Sequence, residues 1–124
     1  RAFQEADAYD GPSIILAYSH CIAHGINMAK GMDSQKAAVE SGHYPLFRYN
    51  PALAQQGENP FKLDSKPPTK SFEDFAYAET RFKMLTKSKP ERAKMLLEYA
   101  QKETSDRWSL YQNWDKMYST DGKE

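Results

Sequence analysis

The chain has 124 residues, and its 17 basic and 17 acidic side chains cancel to a formal net charge of zero. That balance leaves no electrostatic footprint for nucleic acid or an anionic membrane surface. The longest apolar run, Ile14 to Tyr18, is far short of the roughly 20 residues a membrane-spanning helix needs. A single cysteine cannot close an internal disulfide, which fits a reducing compartment, so a cytoplasmic protein with no nucleic-acid or membrane partner is expected.

From the N-terminus, Ala2, Phe3, Ala6 and Tyr9 recur at helical spacing, and Gly11-Pro12 stops the helix. Because Arg1-Ala2-Phe3 already sits on that helical face without a starting methionine, the chain is expected to be a piece of a longer polypeptide. Ile14 to Tyr18 is continuously apolar, the pattern of a parallel strand covered on both faces. This puts Ser19, His20 and Cys21 at a strand's carboxyl end, where open α/β sheets place their ligands. The strand needs neighbours that no other stretch of the chain offers.

A short helix is expected over Ile22 to Lys30, weakened by Gly25. Asp33 or Ser34 can cap a second one that carries Ala37, Ala38 and Val39 and stops at Gly42. "HYPLFRYNP" and "NPFKLDSK" read as short edge strands or extended arms bounded by prolines. Ser71 with Asp74 makes a capping box for a helix with Phe72, Phe75, Phe82 and Leu85 on one face. A second box, Ser88 with Glu91, and Pro90 in the first turn open the longest helix, striped by Ala93, Leu96, Leu97, Ala100, Trp108, Tyr111 and Trp114. Ser119 to Glu124 reads as frayed. These stripes are core or subunit-contact faces, Arg48 and Tyr49 are candidates for an interdomain surface, and Glu40 is a solvated helix residue. Lys83, Lys87, Lys89, Arg92 and Lys94, interspersed with Glu79, Glu91 and Glu98, read as an ordinary solvated face.

The chemistry-bearing motif is His20-Cys21-x-x-His24, and the residues alone leave four readings open. Cys21 is a small buried hydrophobe with hydrogen-bonding histidine neighbours. It is a zinc ligand, with His43 the one obvious fourth residue. It is a nucleophile beside a histidine base, although near-adjacent positions rarely align the two. Or it is one ligand of an iron-sulfur cluster whose other thiolates lie elsewhere.

"DGPSIILAYSHCIAHGINM", "QKAAVESGHYPLFRYNP" and "NPFKLDSKPP", followed by "ETRFKML" and "PERAKMLLEYAQ", together resemble the C-terminal part of the pyruvate:ferredoxin (flavodoxin) oxidoreductases. The resemblance runs in order over nearly the whole chain, and the family's full chain is roughly an order of magnitude longer, many domains by the usual length prior. It implies an α/β fold, the C-terminal part of a thiamine-diphosphate-binding fold: one buried parallel strand, then helices and proline-bounded extended arms, ending in two longer helices. Residues 1–66 would complete the α/β domain and carry the cluster-ligand loop, and residues 67–124 would form a helical tail packed on it.

By the same resemblance Cys21 is the fourth thiolate of the 4Fe-4S cluster nearest thiamine diphosphate, the other three lying upstream. His20 and His24 are then candidates to donate hydrogen bonds to cluster or cysteine sulfur and raise its potential; ordinary capping is the alternative for both. Thiamine diphosphate, its Mg2+ and the residues holding pyruvate and coenzyme A would lie outside this chain. The implied partners are the remainder of the polypeptide, a second copy in a homodimer, and ferredoxin or flavodoxin as electron acceptor. The implied reaction is CoA-dependent oxidative decarboxylation of pyruvate to acetyl-CoA and carbon dioxide, with an isolated chain inactive. The alternatives are a non-enzymatic helical interaction module and a small Cys/His zinc-binding domain.

Overall fold

The computed structural model describes residues 1–117. Their elements, in chain order, are α1 (Ala2–Ala8), two single 3-10 turns (Ile22–His24 and Met28–Lys30), α2 (Gly31–Glu40), β1 (Phe47–Tyr49), α3 (Pro51–Gln55), β2 (Phe61–Leu63), α4 (Phe72–Ala78), α5 (Thr80–Ser88) and α6 (Pro90–Lys116). The architecture is therefore mostly helical. Among the described residues the only sheet is an antiparallel pair, β1 with β2, in the register Phe47 to Leu63, Arg48 to Lys62 and Tyr49 to Phe61.

This overturns the expected parallel strand at Ile14 to Tyr18. From Pro12 to Cys21 the chain has no helix, turn or strand pairing. Ile14 is 85% exposed and Leu16 79%. A continuous apolar run becomes a covered strand only when strands lie beside it, and among the described residues none does. Side chains take part of the role of a ladder instead: the Tyr44 hydroxyl donates to the Leu16 carbonyl at 3.1 Å, and Gln35 Nε2 donates to the Tyr18 carbonyl at 3.0 Å. In extended backbone alternate carbonyls point to opposite edges, and those of Leu16 and Tyr18 are the two tied to this molecule.

The core lies where α2 and α4 meet along α6. Ala37, Ala38, Phe72, Phe75 and Ala76 form its buried centre, with Tyr18, Tyr44, Leu97 and Ala100 packed around it. Small residues on α2 let the aromatic rings of α4 approach, as close packing of a helix pair requires. A second aromatic group joins the sheet to the end of α6: Phe47 and Phe61 stack with centroids 5.2 Å apart, and Tyr111 and Trp114 pack on them.

Local signals account for several boundaries. Ser71 Oγ accepts the Asp74 amide at 3.0 Å, the cap read from sequence. Pro90 opens α6 as expected. The second expected capping box does not form, because Ser88 is still inside α5 and its hydroxyl turns back to the Met84 carbonyl. The helix expected through Phe72 to Leu85 breaks at Glu79, whose backbone is extended (φ −99°, ψ 127°). The helix expected over Ile22 to Lys30 contracts to the two 3-10 turns, and the expected fraying of Ser119 to Glu124 lies outside the described residues. Among the described residues no helix is long and apolar enough to cross a membrane.

Candidate functional site

Cys21 stands where the extended segment ends, with β-region backbone (φ −142°, ψ 143°), as the cap of the Ile22–His24 turn. Its sulfur does the work a serine or aspartate oxygen does in most caps: Sγ accepts the Ala23 amide at 3.4 Å. The thiol is free and exposed, so among the described residues nothing buries it as a small hydrophobe. Amide hydrogen bonds of this kind to sulfur help set the potential of thiolate-bound clusters.

The segments on both sides of Cys21 are held, the far one at the joint between α4 and α5 and the near one by α2 and Tyr44. On the far side, the Thr80 hydroxyl donates to the Gly25 carbonyl at 2.7 Å and the Thr80 amide donates to the same oxygen at 3.3 Å. Gly25 is left-handed (φ 70°), and a Cβ there would overlap the Thr80 side chain, so glycine is required twice over. His24 turns Nδ1 toward Glu79 Oε1 at 3.7 Å. On the near side Tyr18 packs into the core against Tyr44. Burial and then the Glu79 carboxylate raise its phenol pKa.

Glu79, expected on a solvated face, is only 1% exposed. Its Oε2 accepts Arg81 Nε at 2.5 Å, which supplies the counter-charge a buried carboxylate needs. The Tyr18 hydroxyl, His24 Nδ1 and Glu79 Oε1 are buried without a hydrogen-bond partner. Sequence reasoning missed Glu79, Thr80 and Arg81. The one available signal was Gly25, whose conformation implied a close neighbour.

His20, His24 and Cys21 do not converge into a metal centre. The His20 ring lies against Gly31, where a Cβ would collide with it. His43, which a zinc site would have called on, stacks on Phe75 with centroids 4.7 Å apart and meets Tyr18 edge-on at 6.0 Å. Burial, then the Arg107 guanidinium, lower its pKa below the ordinary histidine value. Among the described residues no group of three or more His, Cys, Asp or Glu side chains is placed to hold a metal ion. Cys21, an exposed sulfur with one amide donor, therefore fits a metal cluster as a single ligand, and not as part of a site complete among the described residues.

Arg48 is likewise no free surface. Its side chain is 17% exposed, grips Asp64 through Nε at 2.6 Å and Nη2 at 2.8 Å, and reaches Glu5 through Nη1.

No family model matches the chain. It is 65% identical over 112 residues to the pyruvate-flavodoxin oxidoreductase of Nostoc sp., a match that spans 90% of this chain and 9% of that protein. It is 50% identical over 111 residues to the pyruvate:ferredoxin oxidoreductase of Moorella thermoacetica, spanning 90% of this chain and 10% of the relative. The mitochondrial pyruvate dehydrogenase [NADP(+)] of Euglena gracilis is 41% identical over 98 residues, 77% of this chain and 5% of that protein. The chain thus spans about a tenth or less of the length of these relatives.

Proposed function

The chain belongs to the pyruvate-flavodoxin and pyruvate:ferredoxin oxidoreductases, as a segment matching about a tenth of their length, and on that premise we propose that it is the C-terminal part of their thiamine-diphosphate-binding domain. Residues 1–66 carry the cluster-ligand loop and residues 67–124 form the helical tail on the same domain. The whole enzyme decarboxylates pyruvate oxidatively with coenzyme A, giving acetyl-CoA and carbon dioxide, and passes electrons to flavodoxin or ferredoxin in the cytoplasm as a homodimer.

Cys21 is one of four thiolates of a 4Fe-4S cluster, and the remainder of the polypeptide supplies the other three. Such a cluster would supply a one-electron carrier, so that the two electrons released from pyruvate would leave in two successive transfers. This chain presents the sulfur, directs the Ala23 amide at it, and holds the loop on either side. His20 and His24 flank the ligand without replacing it. His24 Nδ1 faces Glu79 at 3.7 Å, so Nε2 is the ring nitrogen turned away from that carboxylate. Thiamine diphosphate and Mg2+ are held by residues outside this chain.

One observation carries the reading: the thiol is exposed at the end of an apolar segment whose outer edge has no neighbour. Both the coordination sphere and the pairing of this extended segment await the remainder of the polypeptide, and one body of protein supplies both. Ile15 and Ala17 offer their backbone groups to a strand of the parent domain, which also covers Ile14 and Leu16.

Replacing Cys21 by serine in the full-length enzyme tests the assignment. Iron content falls by the equivalent of one cluster, and the low-temperature spectrum of that cluster disappears. Unchanged iron and an unchanged spectrum overturn the ligand role.

A further inference from the structure

The Cys21 loop is fastened to the α4–α5 joint beyond the sulfur, at His24 and Gly25, while before it Tyr18 is held by Gln35 of α2 and by Tyr44. Resting on the reading of Cys21 as a cluster ligand, we infer that Glu79 and Thr80 are positioning residues: their joint is a clamp that fixes where the Cys21 sulfur stands and so controls how firmly the cluster is held.

Three features of the joint support this. First, the break between α4 and α5 has no glycine or proline to cause it; Glu79 leaves helical geometry so that its side chain turns inward and Thr80 meets Gly25. Second, burying a carboxylate is costly, and a buried Glu79 held by Arg81 on one oxygen still directs the other at His24. A joint with only a packing role would be better filled by an apolar side chain, which carries no desolvation cost. Third, the joint holds His24 and Gly25, three to four residues after Cys21, while Gln35 and Tyr44 hold Tyr18, three residues before it, and the sulfur itself stays exposed. A ligand loop tethered on both flanks loses little conformational entropy when its sulfur binds a metal, which is the general route by which preorganisation strengthens binding.

The test uses the full-length enzyme with its clusters loaded, and the near-isosteric pair Thr80→Val and Thr80→Ser. Val removes the hydroxyl donor while keeping the shape; Ser restores the donor. Two rates are read: backbone hydrogen exchange over residues 19–26, and iron release to a chelator. Thr80→Val is expected to speed both by about 2- to 10-fold, the worth of one hydrogen bond, and Thr80→Ser to return both to the wild-type rate. Glu79→Gln, which keeps the shape and removes the charge, is expected to shift the midpoint potential of the cluster nearest thiamine.

Unchanged exchange in Thr80→Val overturns the clamp. Faster exchange with unchanged iron release overturns its service to the cluster, as does a Thr80→Ser variant as leaky as Thr80→Val. If Cys21→Ser retains full iron while Thr80→Val still speeds exchange, the ligand assignment has failed and the contact is structural only, so the two failures are distinguishable.

Discussion

Arg48 and Asp64, sixteen positions apart, meet through two parallel nitrogen–oxygen contacts beside the paired strands, and the same guanidinium reaches back to Glu5 on α1. One side chain thus joins three segments of the chain. The Arg48 guanidinium holds both the Glu5 and the Asp64 carboxyl below their ordinary range. A carboxylate with a lowered folded-state pKa contributes stability that is fully present above its unfolded pKa and is lost as pH falls through the folded one. Asp64→Asn is therefore expected to cost about 1 kcal/mol or less at neutral pH, the range for a partly exposed pair. The deficit should vanish in acid. Urea unfolding of wild type and variant at neutral and acidic pH checks the sign.

His43 supplies a second pH dependence of different origin. Its ring is stacked on Phe75 and favours the neutral form, so protonation is easier in the unfolded chain than in the folded one. Stability then falls as pH drops below the ordinary histidine value of about 6.5 and stops falling below the lowered folded value. Tyr18, Arg107, Glu79, Arg81 and Glu103 are the charged or titratable groups facing it. His43→Phe should flatten the unfolding free energy across that window, and an unaltered slope would assign it to other groups.

Phe75 is 1% exposed at the centre of the α2–α4 contact. Phe75→Ala is expected to destabilise by about 3–5 kcal/mol through lost burial and the cavity it leaves. Chemical denaturation with the far-ultraviolet helix signal reads the shift in midpoint.

Gly25→Ala places a Cβ in a left-handed residue and against Thr80 at once. The conformational term alone is about 1–2 kcal/mol, and the overlap adds to it. In the full-length enzyme this variant should be expressed with a depleted cluster, read by iron analysis.

Ile14→Lys together with Leu16→Lys is expected to act oppositely in two settings. In the isolated chain the charges blunt an exposed apolar edge and reduce self-association. In the full-length enzyme they destabilise, because the residues that meet this segment there must bury both charges. Light scattering of the former and the melting temperature of the latter make the comparison.

What the sequence made legible was local. The serine cap at Ser71, the proline opening α6 and the proline-bounded arms that became β1 and β2 all depend on neighbours within a few positions, and all stand. Ile14 to Tyr18 forms no strand here because strand formation is a property of what lies alongside, and among the described residues no strand does. Ser88 failed as a cap because its hydroxyl found a closer carbonyl at Met84. Glu79 could not be recognised as buried from a stretch of alternating charges; only the fold decides which one of several glutamates turns inward. The position of Cys21 at the end of an extended segment was legible, whereas the joint that holds it, more than fifty residues away, was not.

The outer edge of β2 is closed without a third strand. Asn59 Oδ1 takes the Phe61 amide and Asp115 Oδ1 takes the Leu63 amide, while Asn59 Nδ2 holds the carbonyls of Trp114 and Asp115. A three-residue ribbon is too short to persist in water by itself, so the last turn of α6 serves as its selvedge. Trimming the helix back past Trp114 would unravel the weave from the opposite end of the chain, and any engineered boundary has to fall beyond that knot.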